Sequence, residues 1–499
     1  MNALSSLEAV LVRSGVPERL EGLLPGGGRP RQLSAHALCL GMLICQADGR
    51  AAHLTRVHHA LISLSGEDRR RLGIEVDWSS GPHLLTYRQV ERTFGLVVDA
   101  LSKDHPDGAP SEQLCGAVDD LLEASVPRWV SEATKALAVD WSDHETFSLP
   151  PPHKGGPCAD PEASWGRRKS NQPGQRDEKF FGYELQAATM VGEEGGPAVP
   201  ELVRRILLTN CHIDPPQAFV GVLARMAESG IALGDVLSDS GYAHRVPEHW
   251  ALALRALGAA IVTDHHPADR GPRGTFGGAV ISNGNLYCPS TPAALLALGP
   301  LARGASRDET VAHDAMSAEL ARYKLGRISA NDADGYHRVL CPAAAGKLRC
   351  PVRERSMALS HQRPEVSPPE HLPRCCTQQS ITVPVSVTAK TAQKHDYPSK
   401  AHRISYARRT AVERTFSTAK DRASNDMTRG WCRLMGTTAI SLFAAALFVV
   451  RNERILDAFE VRQSEEKRRL AAGLSPKTRR RRRRTLSDLV ASGTGGSTT

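Results

Sequence analysis

The stretch SYARRTAVERTFSTAKD, residues 405–421, sets one glutamate among several basic side chains. Successive residues of an α-helix turn by about 100°. A helix over residues 401–424 would therefore bring four residues within about 60° of one another on one face, namely Tyr406, Arg409, Glu413 and Lys420. Three of the four carry charge, so this face is not a core stripe. An arginine placed four residues before a glutamate stabilises a helix less than the reverse order, so helix stability explains the pattern poorly.

Two further acids end short apolar runs earlier in the chain. Asp140 follows ALAV in KALAVDWSD (135–143), and Asp239 follows DVLS in GDVLSDSGY (234–242). An acid that closes a buried strand lies at the edge of a sheet, where α/β folds bind ligands. Together with Glu413, these acids would form an oxygen-rich site suited to hard divalent cations.

Neighbouring acids leave alternatives for both positions. Asp143 and Glu145 lie close to Asp140, and Asp235 lies at the start of the run that Asp239 closes. We prefer Asp140 and Asp239 because each one ends its apolar run.

The order of elements around these acids predicts the fold class. Strands at KALAVDWSD (135–143), FFGYELQAATMVG (180–192) and ELVRRILLTN (201–210) are followed by helix, strand, helix and strand. The last strand, AAIVTDHH (259–266), contains Asp264, which could support the metal ligands or simply begin a turn. This order predicts an α/β fold with a mixed sheet and helices packed on it.

Composition and periodicity predict the division of the chain into five regions. Residues 267–400 are rich in Pro and Gly and interrupt the α/β pattern, and a run of six arginines, 479–484, predicts a disordered polyanion-binding tail. We predict the following regions: a helical N-terminal domain at 1–130, the first part of the core at 131–266, an insertion at 267–400, helices of the core at 401–470 and a basic tail at 471–499.

One N-terminal helix carries a pair of exposed cations. In TYRQVERTFGLVVDAL (86–101), Thr86 and Gln89 have the spacing of a capping box, and Arg88 and Arg92 lie one turn apart. This helix could contact DNA through the two arginines, or it could be an amphipathic helix with a solvated basic face.

Charge and hydropathy restrict the partners and the location. The 499 residues include 63 Lys and Arg against 54 Asp and Glu, a formal charge of +9, which favours a polyanionic partner. The N-terminal residues lack the pattern of a secretory signal. The most apolar run, TAISLFAAALFVV (438–450), is too short to span a bilayer and predicts a buried helix. We therefore expect a cytoplasmic protein without a membrane partner.

The 11 cysteines are expected to be reduced thiols in that compartment. Cys341, Cys350, Cys375 and Cys376 lie near His361 and His371. No CxxC pair is present, the gap between Cys341 and Cys350 is wide, and two adjacent cysteines make an awkward ligand pair. The pattern therefore argues against a structural zinc ion.

The spacing of the opening stretch is specific. The chain has Tyr406, two residues, Arg409, three residues, Glu413, six residues and Lys420. This resembles the Tyr-x2-Arg-x3-Glu-x6-Lys signature of one branch of the DDE transposases of bacterial insertion sequences. The resemblance covers residues 135–266 and 401–436. It implies a ribonuclease H-like catalytic core with an insertion before the last catalytic helix.

The resemblance also implies a mechanism. Asp140, Asp239 and Glu413 would bind two Mg²⁺ ions, for which Mn²⁺ can substitute. Tyr406, Arg409 and Lys420 would contact phosphates at the transposon end. Water would then nick the DNA, and the freed 3′-hydroxyl would attack target DNA.

The implied partners are the terminal inverted repeats and the target DNA. The N-terminal domain, with Arg88 and Arg92, would help to bind the ends, and the chain would act as a homodimer on DNA in the nucleoid. Two alternatives stay open: a DNA-binding protein derived from a transposase with a silent catalytic site, and a ribonuclease H-like nuclease that only hydrolyses.

Overall fold

The computed structural model describes residues 3–26, 31–79, 81–103, 109–153, 155–168 and 176–475. The run of six arginines that we predict to be disordered lies outside these residues. The described residues up to 452 form one compact unit, and those from 453 to 475 belong to a second. Of the second unit, residues 453–471 continue a long helix and residues 472–475 follow it.

The N-terminal region is helical, as the sequence predicts, except for one hairpin. Gln89 Oε1 accepts a hydrogen bond from the backbone N–H of Thr86 at 2.8 Å, so this half of the predicted capping interaction is present. The elements are α1 (Ala3–Ser14), α2 (Val16–Leu23), α3 (Ala35–Ala47), α4 (Leu54–Ile62), α5 (Gly66–Arg71), β1 (Glu75–Trp78), β2 (Gly81–Leu84), α6 (Tyr87–Leu101), α7 (Glu112–Glu123) and α8 (Arg128–Ala133).

A mixed sheet forms the middle of the compact unit. Its elements are β3 (Leu137–Glu145), β4 (Ser164–Arg168), β5 (Glu178–Met190), β6 (Val203–Asn210), α9 (Pro215–Glu228), β7 (Asp235–Ser238), α10 (Ser240–Ala243), α11 (Ala251–Ala256) and β8 (Ala260–Thr263). The described strands are ordered β6–β5–β3–β7–β8, and β4 pairs with the first residues of β5. Strand β5 is antiparallel to β3 and β6, whereas β3, β7 and β8 run parallel. The predicted α/β class with a mixed sheet is therefore confirmed.

The predicted insertion contains two small antiparallel sheets. Its elements are β9 (Pro272–Phe276), β10 (Ala279–Ser282), β11 (Asn285–Tyr287), α12 (Ala293–Leu296), α13 (Arg307–Tyr323), β12 (Gly326–Arg327), β13 (Tyr336–Leu340), α14 (Glu354–Met357), α15 (Arg374–Thr377) and β14 (Ser380–Pro384). The sheets are ordered β11–β10–β9 and β12–β13–β14.

In the described residues after the insertion, three α-helices follow: α16 (Lys400–Tyr406), α17 (Thr410–Lys420) and α18 (Thr437–Ala471). The apolar run 438–450 forms the first turns of α18, where Phe443, Leu447 and Phe448 are fully buried. The buried helix predicted there is confirmed. The described part of the chain has no helix that is long and apolar enough to cross a membrane.

Buried side chains of the N-terminal helices, the sheet, α17 and the start of α18 belong to one hydrophobic cluster. Phe94 of α6, for example, contacts Phe443 of α18, with ring centroids 5.9 Å apart. The α6 helix is therefore anchored to the same core as the sheet. The domain boundary that we predict after residue 130 stays a prediction.

Candidate active site

Asp140 and Asp239 lie at matching positions of two neighbouring parallel strands. The registered pairing of β3 with β7 ends at Ala138 and Leu237, and each acid lies two residues further along its strand. Parallel strands end at the same edge of a sheet. Strand β7 ends just before Asp239, whereas β3 continues to Glu145. Asp140 therefore lies beside the end of β7 but does not close its own strand, contrary to what we predict from its apolar run.

The Asp140 carboxyl group is largely buried. Burial raises its pKa to about 6, Arg409 opposes this shift, and the nearby charge of Asp239 adds to it. The backbone N–H of Trp141 donates to Oδ1 of Asp140 at 2.9 Å. Ionisation of Asp140 is therefore unfavourable unless a cation lies beside the carboxylate.

Asp239 caps the short helix α10. Its Oδ1 accepts hydrogen bonds from the backbone N–H groups of Gly241 at 2.8 Å and Tyr242 at 3.2 Å. Among the described residues, nothing donates to Oδ2, so that oxygen keeps its lone pairs for another ligand. A Cβ atom on Gly241 would lie 2.7 Å from the Trp141 ring, which explains why glycine suits this tight approach.

The single helix that we predict over residues 401–424 is wrong in two respects. A 3₁₀ turn, Ala407–Arg409, separates α16 from α17, and α17 ends at Lys420. Residues i and i+3 eclipse one another in a 3₁₀ turn. Accordingly, Arg409 lies over Tyr406, and its Nε donates to the Tyr406 hydroxyl oxygen at 3.0 Å.

The Arg409 guanidinium connects three of the predicted site residues. Besides Tyr406, its Nη1 donates to Asp140 Oδ2 at 2.8 Å, and its Nη2 donates to Glu413 Oε1 at 2.7 Å. The Arg409 side chain is only 13% exposed, whereas that of Glu413 is 52% exposed. The cation is therefore enclosed between a buried acid of the sheet and an accessible acid of the helix.

Helix α17 is fixed to the sheet by its opposite face. Ala411, Val412, Phe416 and Ala419 are buried at helical spacing. The hydroxyl groups of Thr415 and Thr189, on α17 and β5, lie 3.0 Å apart and are buried. This packing fixes the position of α17, and with it the position of Glu413, relative to the sheet.

Lys420 contacts a different carboxylate from the one that Arg409 binds. Its Nζ lies 3.1 Å from Asp143 Oδ1. Arg168 also bonds to Asp143, and it donates to Glu145 Oε1 at 3.0 Å. Burial raises the pKa of Asp143, but the bonds from Arg168 and Lys420 outweigh it, so the pKa is lowered. Asp143 and Glu145, the alternatives to Asp140, are thus paired with basic side chains.

The other competing acids are paired as well. Asp235 is buried and bonds to Lys394 at 2.8 Å and to Arg408 at 2.6 Å. Asp264 accepts a hydrogen bond from the Tyr397 hydroxyl at 2.7 Å and one from Arg270 at 3.2 Å. Both acids are therefore tied into ion-pair or hydrogen-bond networks at the two ends of the parallel strands.

Glu184 is a partly buried acid of β5 that sequence reasoning missed. It lies opposite Asp143 in the β3–β5 pairing. Burial raises its pKa to about 7, and Asp214 and Asp143 add to the shift against the opposing charge of Arg245. Its Oε2 is buried without a hydrogen-bond partner in the described structure. A single acid inside the apolar strand FFGYELQ was the available signal.

Arg88 and Arg92 lie on the exposed side of α6. Neither forms an ion pair with the residues that the structure describes. Both cations are thus accessible, which suits either a DNA contact or a solvated face.

One group of three side chains has potential metal-ligand atoms within 4.8 Å of one another in the described ranges: His244, His266 and Asp269. The rings of His244 and His266 stack with centroids 3.7 Å apart, and Lys390 binds Asp269 at 2.8 Å. Lys390 already neutralises the Asp269 carboxylate, which makes this group a poor site for a further cation. The oxygens of Asp140, Asp239 and Glu413 do not all lie within 4.8 Å of one another.

The chain matches no protein-family model and no curated protein sequence.

Proposed function

We propose that the chain is a DDE transposase that cleaves DNA at transposon ends and transfers the freed 3′ ends to target DNA. The observation that carries the proposal is the convergence of Asp140, Asp239 and Glu413 around Arg409. Asp140 lies within β3, Asp239 directly follows the neighbouring parallel strand β7, and the guanidinium joins Glu413 to Asp140.

The sheet supports a ribonuclease H-like core for this function. If β3, β5, β6, β7 and β8 are numbered 1 to 5 along the chain, their order across the sheet is 3–2–1–4–5. Only β5 is antiparallel to the other four strands. The first acid lies on the central strand, the second follows the adjacent parallel strand, and the third lies on a helix that packs on the sheet after an insertion. Both features agree with the architecture that the sequence resemblance implies.

The donor set fits Mg²⁺ or Mn²⁺ because it consists only of carboxylate oxygens. A positive group already lies between Asp140 and Glu413, which indicates that the site favours cations. For metal to bind, the Arg409 side chain must leave these carboxylates and their oxygens must approach one another. Bound metal would supply Lewis-acid activation of the attacking oxygen and stabilise the leaving oxygen.

The protein side chains would position the DNA. Arg409, released from the carboxylates, carries a planar group suited to bidentate binding of phosphate. Tyr406 would keep Arg409 near the metal ligands through the 3.0 Å hydrogen bond. Lys420 would exchange Asp143 for a phosphate oxygen, and Arg168 would continue to neutralise Asp143. The excess of basic residues over the chain favours the same polyanionic partner.

Glu413→Gln separates catalysis from binding. The change removes one metal-ligand charge from an exposed side chain, so we expect DNA cleavage to be lost while binding to labelled transposon ends is nearly unchanged. Glu201→Gln is the matched control, because Glu201 is another acid near α17 that pairs with an arginine, Arg414. This control should cleave normally.

The outcomes distinguish the three candidate functions. Cleavage that persists in Glu413→Gln would remove Glu413 from the metal site. End binding by the unmodified protein without cleavage in Mg²⁺ or Mn²⁺ would favour the silent DNA-binding derivative. Cleavage without joining to target DNA would favour the nuclease.

A further inference from the structure

Four cysteines of the predicted insertion line one small cavity. Cys288, Cys341, Cys350 and Cys376 surround a space of about 10 Å³, enough for a single ion or water molecule. They come from four separate segments of the chain. Sequence spacing did not reveal the group. Cys288 lies 53 positions before Cys341, and the sequence does not show which of the adjacent residues Cys375 and Cys376 belongs to it.

The cysteines connect the two small sheets of this region. Cys288 directly follows β11 of one sheet. Cys341 directly follows β13 of the other sheet, and Cys376 lies in α15, just before β14. Cys350 lies in the connection between β13 and α14. A bond from each cysteine to one centre would tie both sheets together.

The four thiols lie close enough to interact electrostatically. Burial raises the pKa of Cys288 to about 11, the other three thiols each add to this shift, and a bond from the backbone N–H of Ser290 opposes it. Without a bound cation the Cys288 thiol is therefore protonated at neutral pH. Arg353 also lines the cavity, and its Nη2 donates to the carbonyl oxygens of Cys376 and Gln378 at 2.9 and 2.6 Å. The Nε of Arg353 is buried and has no hydrogen-bond partner in the described structure. Its positive charge would offset that of a thiolate cluster.

We propose that Cys288, Cys341, Cys350 and Cys376 bind one structural zinc ion that joins the two sheets of the insertion. Four thiolates around Zn²⁺ carry a net charge of –2, which the Arg353 guanidinium partly neutralises. In the structure, no three of the sulfurs lie within 4.8 Å of one another. A tetrahedral ion with Zn–S bonds of about 2.3 Å needs sulfurs about 4 Å apart. Zinc binding would therefore require the four sulfurs to come closer together than they lie in this structure.

Adjacent cysteines provide a matched pair of variants. Cys375 and Cys376 are both buried, but only Cys376 lines the cavity. We expect about one zinc ion per chain in the unmodified protein and in Cys375→Ser, measured by plasma mass spectrometry after purification under reducing conditions. Cys376→Ser and Cys288→Ser should lose at least nine-tenths of that zinc. Equal zinc in Cys375→Ser and Cys376→Ser would contradict the proposal.

A second measurement covers the case in which the variants do not fold. The unmodified chain, stripped of metal and titrated with Co²⁺, should show the absorption of tetrahedral cobalt with thiolate charge transfer. A folded chain that contains no zinc and gives no such spectrum would overturn the proposal. So would iron in place of zinc, or a disulfide between any two of the four cysteines. Zinc content does not depend on cleavage: Glu413→Gln should retain its zinc, and loss of cleavage with zinc bound leaves this inference standing.

Discussion

Asp140→Asn should stabilise the metal-free protein at neutral pH. Burial raises the pKa of Asp140 from its ordinary value of 3.8 to about 6. A carboxyl group whose pKa is higher in the folded than in the unfolded chain costs stability when it ionises. A difference of roughly 2.2 pH units corresponds to about 3 kcal/mol above pH 6, and the cost vanishes below about pH 4. Asparagine has a similar shape and no charge, so it removes this cost.

The assay is urea unfolding in the presence of a chelator at several pH values. The free energy of unfolding of Asp140→Asn should exceed that of the unmodified protein by up to about 3 kcal/mol at pH 7, with a difference near zero at pH 4. Added Mg²⁺ should reduce this difference at pH 7, because the unmodified site gains more stability from the bound ion than the variant does.

The control is Asp143→Asn, three residues along the same strand, for which the expected change in the free energy of unfolding has the opposite sign. Bonds from Arg168 and Lys420 lower the pKa of Asp143 despite its burial. The ionised Asp143 carboxylate stabilises the folded protein at pH values above its ordinary pKa. This stabilisation is lost as the pH falls through the lowered pKa of Asp143 in the folded protein. Asp143→Asn should therefore destabilise the protein at pH 7. The reasoning would be refuted if Asp140→Asn were destabilising at pH 7 in chelator, or if its gain did not shrink between pH 7 and pH 4.

Three further predictions concern DNA binding. Lys420→Ala should weaken binding to transposon ends in a filter or mobility-shift assay and leave the circular-dichroism spectrum unchanged, because Arg168 still pairs with Asp143; unaltered binding and cleavage would argue against a phosphate contact. Deletion of residues 476–499, with its six consecutive arginines, should reduce nonspecific affinity and lower the slope of log affinity against log salt by up to about 5; an unchanged slope would mean that the tail does not contact DNA. The double variant Arg88→Ala/Arg92→Ala should weaken end binding without slowing cleavage at saturating DNA, and equal affinity would identify a solvated helix face.

The sequence was sufficient for the order of strands and helices along the core and for a mixed sheet. The apolar run before Asp239 predicts the end of β7 correctly, but the run before Asp140 does not mark a strand end, because β3 continues to Glu145. The buried start of α18 was equally evident, because a run of thirteen residues without a charge, eleven of them apolar, leaves no exposed face.

Contacts between distant segments were not predictable in the same way. A helical projection cannot reveal the 3₁₀ turn at Ala407–Arg409, since tertiary packing against β3 and β7 decides it. The sequence of charged residues also does not indicate which acids the basic side chains contact. Arg409 bonds to Asp140, 269 positions away, and Lys420 bonds to Asp143. Both choices depend on how α17 lies across the sheet.

The cysteine cavity illustrates the same limit. Its four cysteines are spread over almost 90 residues, and their meeting depends on the packing of two small sheets. Spacing rules detect zinc sites whose ligands are close in sequence. They cannot detect a site that forms between separate strands.

The most direct test of the proposed function is cleavage of a labelled duplex that carries the DNA ends flanking the gene. The purified chain would be incubated with this duplex and Mg²⁺ or Mn²⁺, alongside Asp140→Ala, Asp239→Ala and Glu413→Ala. The account predicts specific nicking at the ends by the unmodified protein and none by any of the three variants. End binding without nicking in either metal would contradict the transposase proposal, and nicking that survives one substitution would remove that acid from the site.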